Sequence, residues 1–113
     1  MYEKMDQMKS RMALPAIAAP MFLVSNPDTV VAACKAGVIG SFPAPNARTI
    51  EDLHRWFSEI TNRLSPDDAP WALNMITHSS YARFDPELAL IEEFKPSLVI
   101  TALGGPQRGI EQV

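Results

Sequence analysis

The stretch "LPAIAAPMFLVSNPDTVVAACKAGVIGSF", residues 14–42, carries the reading on which the fold turns. Its first apolar segment, "AIAAPM", is broken by Pro20 yet stays apolar through Phe22, Leu23 and Val24 until a hydroxyl arrives at Ser25. Loop backbone usually lies in water and loop side chains are correspondingly polar. An apolar loop at the mouth of a buried strand implies that something flat and apolar rests on it. Downstream, "SNPDTVVAACKAG" reads as a helix. Ser25 or Asn26 caps it, Pro27 suits its first position, Asp28 favours its positive end and Gly37 stops it. "VIGSF" then reads as a second short buried strand.

The same alternation continues to the right. "PAPN" makes a loop, and Thr49 opens the most strongly amphipathic helix of the chain, with Ile50, Leu53, Trp56, Phe57, Ile60 and Leu64 on one face. Thr49 and Asp52 resemble a capping box. "SPDDAP" ends that helix and "WALNMI" reads as a third strand. "DPELALIEEF" is expected as a third helix, capped by Asp85 with Pro86 at its first position, and "SLVITAL" as a fourth strand closed by "GGP". To the left, "MYEKMDQMKSRM" mixes charges of both signs without an apolar centre, so it reads as a leader with a frayed helical turn rather than a signal peptide. A fourth helix is expected to begin near "GIEQV".

Strand and helix alternate four strands deep, which is parallel α/β order with right-handed crossovers. The strands are continuous apolar runs, as befits a sheet covered on both faces. The predicted strand centres are Ile17, Ile39, Leu73 and Val99, adjacent in that order.

Bulk properties narrow the function classes. At 113 residues, 47% hydrophobic and 20% charged, the chain suits one small packed domain rather than a disordered segment. A net charge of −3 gives no reason to expect nucleic acid or an anionic membrane as partner. The single cysteine, Cys34, excludes an internal disulfide and a multi-cysteine metal site, and fits a reducing compartment. No apolar run approaches the ~20 residues of a membrane span, so a cytoplasmic location is expected. Neither a phosphate loop of the P-loop kind nor GxGxxG is present.

Three segments, "LPAIAAPMFLVSNPDTVVAACKAGVIGSFPAPNART", "PWALNMITHSS" and "PSLVITALGGP", resemble the N-terminal part of the nitronate monooxygenases, formerly 2-nitropropane dioxygenases. The resemblance runs from about Met12 to Pro106. It implies an α/β fold, the N-terminal part (about four strands) of a (β/α)8 TIM barrel, with residues 1–12 a leader and 13–113 a partial barrel domain incomplete at its C-terminus. It also implies FMN as cofactor and the oxidation of a nitronate or nitroalkane by oxygen. In such barrels the active site lies at the C-terminal ends of the strands. The resemblance puts Ala19, Pro20 and Met21 against the flavin ring system and Asn74 in a hydrogen bond to it. Those roles suit a rigid proline turn, a polarizable thioether and an amide that both donates and accepts. No metal site is expected.

The family's catalytic histidine and phosphate loops lie downstream of these segments, and neither His54 nor His78 matches that base. A barrel typically needs ~250 residues. The chain is therefore expected to be a fragment, inactive alone, with an open sheet edge that invites self-association. FMN-dependent enoyl reductases share a looser form of the first strand and remain an alternative. A non-catalytic parallel α/β binding module is the alternative from a different class.

Individual residues also carry plainer readings. Met21 could pack a strand end, and Asn74 could cap a neighbouring loop. His54 reads as a solvated surface residue and Cys34 as a small buried hydrophobe. His78 could line a substrate entrance, and Gly104-Gly105 could be a backbone approach point or only a turn.

Overall fold

The computed structural model describes residues 2–104. They form a small α/β domain in the order α1 (Tyr2–Ser10), α2 (Pro27–Lys35), β1 (Gly40–Pro43), a 3-10 turn (Ala44–Asn46), α3 (Ile50–Arg63), β2 (Trp71–Ile76), α4 (Phe84–Phe94) and β3 (Leu98–Ala102). The three strands pair in parallel, in sequence order. Gly105, Pro106 and the expected fourth helix lie outside the described residues.

Local chemistry sets most of the helix starts. Asn26 Oδ1 accepts from the Thr29 amide at 3.0 Å while Thr29 Oγ1 accepts from the Asn26 amide at 2.9 Å, a reciprocal box that opens α2. Of the two expected caps, Asn26 does the capping. Thr49 accepts from the Asp52 amide at 3.0 Å and opens α3. The cap expected at Asp85 is corrected: α4 begins at Phe84 with Arg83 in the cap position and no side-chain cap. Pro86 then falls on the third helical residue, where its missing N–H is still one that no helical carbonyl requires. The leader is also more ordered than a frayed turn, since α1 runs for nine residues.

The expectation of four strands is corrected as well. "AIAAPM" makes one parallel bridge, Ile17 to Ile39, rather than a strand. The Ile39 amide donates to Ala16 O at 3.0 Å and the Ala18 amide to Ile39 O at 2.8 Å, two rungs of a parallel ladder. The next carbonyl, Ala18 O, is taken by the Ser41 hydroxyl at 2.5 Å. The rung after that would need an N–H at residue 20, and proline has none. Pairing stops there for that reason, although neighbour and direction are those expected.

Side-chain alternation gives the sheet two unlike faces. Phe42, Leu73 and Val99 stand opposite one another across the three strands, and all belong to one hydrophobic cluster with residues of α2, α3 and α4. At its centre the rings of Phe42, Phe57 and Trp71 pack edge-on and stacked, with centroids 5.1–6.2 Å apart. Leu53, Phe57 and Ile60 of α3 are fully buried there, whereas Trp56, Ile50 and Leu64 are only partly so. The neighbouring row, Pro43, Asn74 and Ile100, points the other way, as strand alternation requires. α2, α3 and α4 share a single core cluster on the first face, and on the second Pro43 is buried and Asn74 and Ile100 are half-buried.

Cys34 is 1% exposed and its thiol donates to Pro70 O at 3.3 Å; burial pushes its pKa up. His54 is half exposed, edge-on to Phe94 with Nε2 3.7 Å from Glu93, in keeping with a surface role.

Two glycines hold backbone junctions. Gly37 takes φ +96°, which ends α2, and a Cβ there would lie 2.5 Å from Ala13 Cβ. At Gly40 the constraint is proximity: a Cβ would lie 2.4 Å from Val30 O and 2.8 Å from Val30 Cα, so α2 packs directly on the β1 backbone. Gly40→Ala should therefore cost about 3 kcal/mol through overpacking. Urea unfolding should report a lower midpoint with unchanged slope; an unshifted midpoint would mean that α2 can move away from β1 freely.

Candidate functional site

All paired strands run one way, so the segments that follow them collect at one end of the sheet. Met21 to Ser25 follow the Ile17 bridge, Ala44 to Ala47 follow β1, Thr77 and His78 follow β2, and Leu103 and Gly104 follow β3.

The first of these loops keeps the apolar surface expected of it. Met21 is 53% exposed, Phe22 63%, Leu23 64% and Val24 56%. Burial does not hold it in shape; polar contacts do. Ser25 Oγ accepts from the Met21 amide at 2.8 Å and the Ser25 amide donates to Met21 O at 3.0 Å. Asn46 completes the frame from the turn after β1. Its Oδ1 accepts from the Leu23 amide at 2.9 Å, and its Nδ2 donates to Met21 O at 3.0 Å and Ser25 O at 2.8 Å. Leu23 has φ +64°, a conformation unfavourable for a branched side chain and sustained by these bonds.

Asn74 lies in the middle of β2, between Pro43 and Ile100, on the face turned away from the core cluster. Its Nδ2 donates to Ile100 O at 3.0 Å, and no described residue donates to its Oδ1. Ala19 is exposed and Pro20 half-buried at the head of the loop. Met21 and Asn74 thus both belong to the C-terminal half of the sheet, with β1 between their strands. His78 is exposed, and its Nδ1 lies 2.7 Å from Ser80 Oγ.

A buried polar group supports the turn that carries Asn46. Arg83 Nη1 donates to Ala47 O at 2.8 Å and to Arg48 O at 3.3 Å, and Nη2 reaches Ala44 O at 3.5 Å. Arg83 Nε is 3.1 Å from Glu87 Oε2, which also accepts from the Tyr81 hydroxyl at 2.5 Å. The Nε contact is off the hydrogen-bonding direction, and Glu87 Oε1 has no partner among the described residues although Glu87 is fully buried. Burial pushes the Glu87 carboxyl up, opposed by the Tyr81 hydrogen bond and the Arg83 charge. Burial, then the Glu87 hydrogen bond, pushes the Tyr81 phenol up.

Sequence reasoning passed over Asn46, Arg83 and Glu87. Asn46 sat inside "PAPN", read only as a loop. Glu87 carried a usable signal, since it is three residues from Phe84 and four from Ile91, the spacing of the buried face of α4. Among the described residues no group of three or more His, Cys, Asp or Glu could hold a metal. No helix among the described residues is long and apolar enough to cross a membrane. Comparison with family models, with curated proteins and with solved structures finds no match.

Two outcomes follow from this geometry. Asn46→Ala removes three hydrogen bonds from a buried position and should cost about 2 kcal/mol. Limited proteolysis should then cut within residues 21–25, where the native loop resists; an equally resistant variant would show that the apolar tip holds itself. Glu87 supplies a pH dependence. A carboxyl with a raised folded pKa binds more protons folded than unfolded, so stability falls as pH rises. Its contribution is fully present below the unfolded value of about 4.3 and lost as pH rises through the folded one. Glu87→Gln should therefore gain on the native chain as pH rises from 4 toward neutrality in urea titrations. A pH-independent difference would show that Glu87 does not titrate in that window.

Proposed function

We propose that this chain forms part of a (β/α)8 barrel flavoenzyme that binds FMN at the C-terminal ends of its strands and oxidises nitronates or nitroalkanes with oxygen. The observation that carries the reading is the exposed apolar platform of Met21 to Val24, held rigid by Asn46 at the end of a parallel sheet that winds in one direction. A barrel requires both features: helices on the outer face only, and loops gathered at one rim.

The residues present fit the ring portion of a flavin. Such a ring is flat and largely apolar, with hydrogen-bonding groups along one edge. Met21 offers a polarizable thioether for its face. Asn74 offers a carbonyl oxygen without a described partner, suited to accept from a ring N–H, while Ala19 and Pro20 fix the approach of the chain. None of these groups would hold the phosphate.

When bound, FMN would supply the redox chemistry, accepting an electron pair from the nitronate and passing it to oxygen. This chain's residues would bind and orient. The loop frame would keep the platform in place, and the side chains of Phe22 to Val24 would shield the bound ring from water. No residue of the chain is assigned the catalytic base.

Asn74→Ala tests the reading. In a preparation that retains flavin, the variant should bind FMN about tenfold or more weakly, the loss of one or two hydrogen bonds worth ~1–3 kcal/mol. Flavin fluorescence titration reads this directly. Unchanged affinity would count against the role of Asn74.

A further inference from the structure

The opposite end of the sheet holds a cleft that the flavin reading does not use. Helix α1 lies beside the segment leading into β3, and Lys4, Gln7, Met8 and Arg11 face across a cleft of about 560 Å³ to Lys95, Pro96 and Ser97. Positions 4, 7, 8 and 11 recur at helical spacing and so make one face of the helix and the turn that follows it. Residues 95–97 precede β3, and Arg11 Nε donates at 2.9 Å to Asp68 O, which precedes β2. The cleft therefore opens at the N-terminal end of the strands, away from Met21.

Its charge is unlike that of the chain. The whole sequence carries −3, yet three cations line this cleft and no acidic residue does. Among the described residues neither Lys4 nor Lys95 is in an ion pair, and the Arg11 guanidinium spends only its Nε. Asp68, whose carbonyl Arg11 meets, has its carboxylate bound by Lys35 at 3.0 Å and by the Ser65 amide at 2.8 Å. Cations gathered around a concavity repel one another unless an anion joins them, and guanidinium and ammonium groups together suit a phosphate. The volume is within the range of small-molecule sites and far exceeds one inorganic phosphate. Met8 and Pro96 give the remainder an apolar floor.

We propose that this cleft binds a small organic phosphomonoester, its phosphate held by Lys4, Arg11 and Lys95 and its organic part resting on Met8 and Pro96. Binding would tie α1 to the α4–β3 connection. The site is independent of flavin binding.

Isothermal titration of the chain with AMP, with inorganic phosphate and adenosine in parallel, tests the proposal. AMP should bind saturably, phosphate more weakly and adenosine not at all. Lys4→Gln and Lys95→Gln should each weaken AMP about tenfold, as expected for losing one charge-assisted hydrogen bond. Lys9→Gln, on the same helix but outside the cleft, should leave binding unchanged. Both tested lysines are exposed, so the variants should keep the native circular dichroism. Absence of saturable AMP binding overturns the site. Equal loss in Lys9→Gln reduces it to diffuse attraction and overturns it too. Phosphate binding as tightly as AMP overturns the assignment to an ester.

Discussion

Parallel strands cannot be joined by a hairpin, because the chain must travel back along the sheet before it can begin the next strand. That constraint governs this molecule. Each return is made by a helix, and right-handedness fixes the face on which the helix lies so long as the strands are added in one direction. The order β1, β2, β3 never reverses, so α2, α3 and α4 share one side and one core. Everything else depends on that outcome. It concentrates Phe42, Phe57 and Trp71 in a single aromatic centre, sends Asn74 to the face turned away from that centre and brings the loops together at one rim.

The rim is organised by polar groups that ordinary loops leave in water. Arg83 reaches from the start of α4 to three carbonyls of the turn after β1, and Asn46 in that turn reaches the loop before α2. Buried networks of this sort are stabilising only when nearly every member is satisfied. Here one carboxylate oxygen of Glu87 has no partner among the described residues, and burial holds the carboxyl toward its neutral form.

Much of the architecture could be read from the residues because local signals and burial pattern agreed. The face of α3, the span of β2 and the capping of α2 at Ser25 or Asn26 all rest on spacing and short-range hydrogen bonds. The misreadings arose where a long-range partner decided the outcome. Whether "AIAAPM" becomes a strand depends on which donor each rung needs, and only the register with Ile39 reveals that the missing donor falls on Pro20. Asp85 looked like a cap because Pro86 follows it, but Phe84 is drawn into the core and starts the helix a turn's fraction earlier. The apolar character of the loop at Met21 was legible; the clamp that holds it was not, since Asn46 is distant in sequence and set among prolines.

The Met21 to Val24 loop owes its shape to hydrogen bonds rather than to burial, and this bears on the energetics of whatever it meets. A platform already ordered has little conformational entropy left to surrender on association. Apolar surface would be withdrawn from water with almost no accompanying folding of the chain. The calorimetric mark of such an encounter is a negative heat-capacity change of modest size, matching the contact area alone. A loop that ordered only on contact would instead carry the much larger heat-capacity change and the entropic penalty of coupled folding.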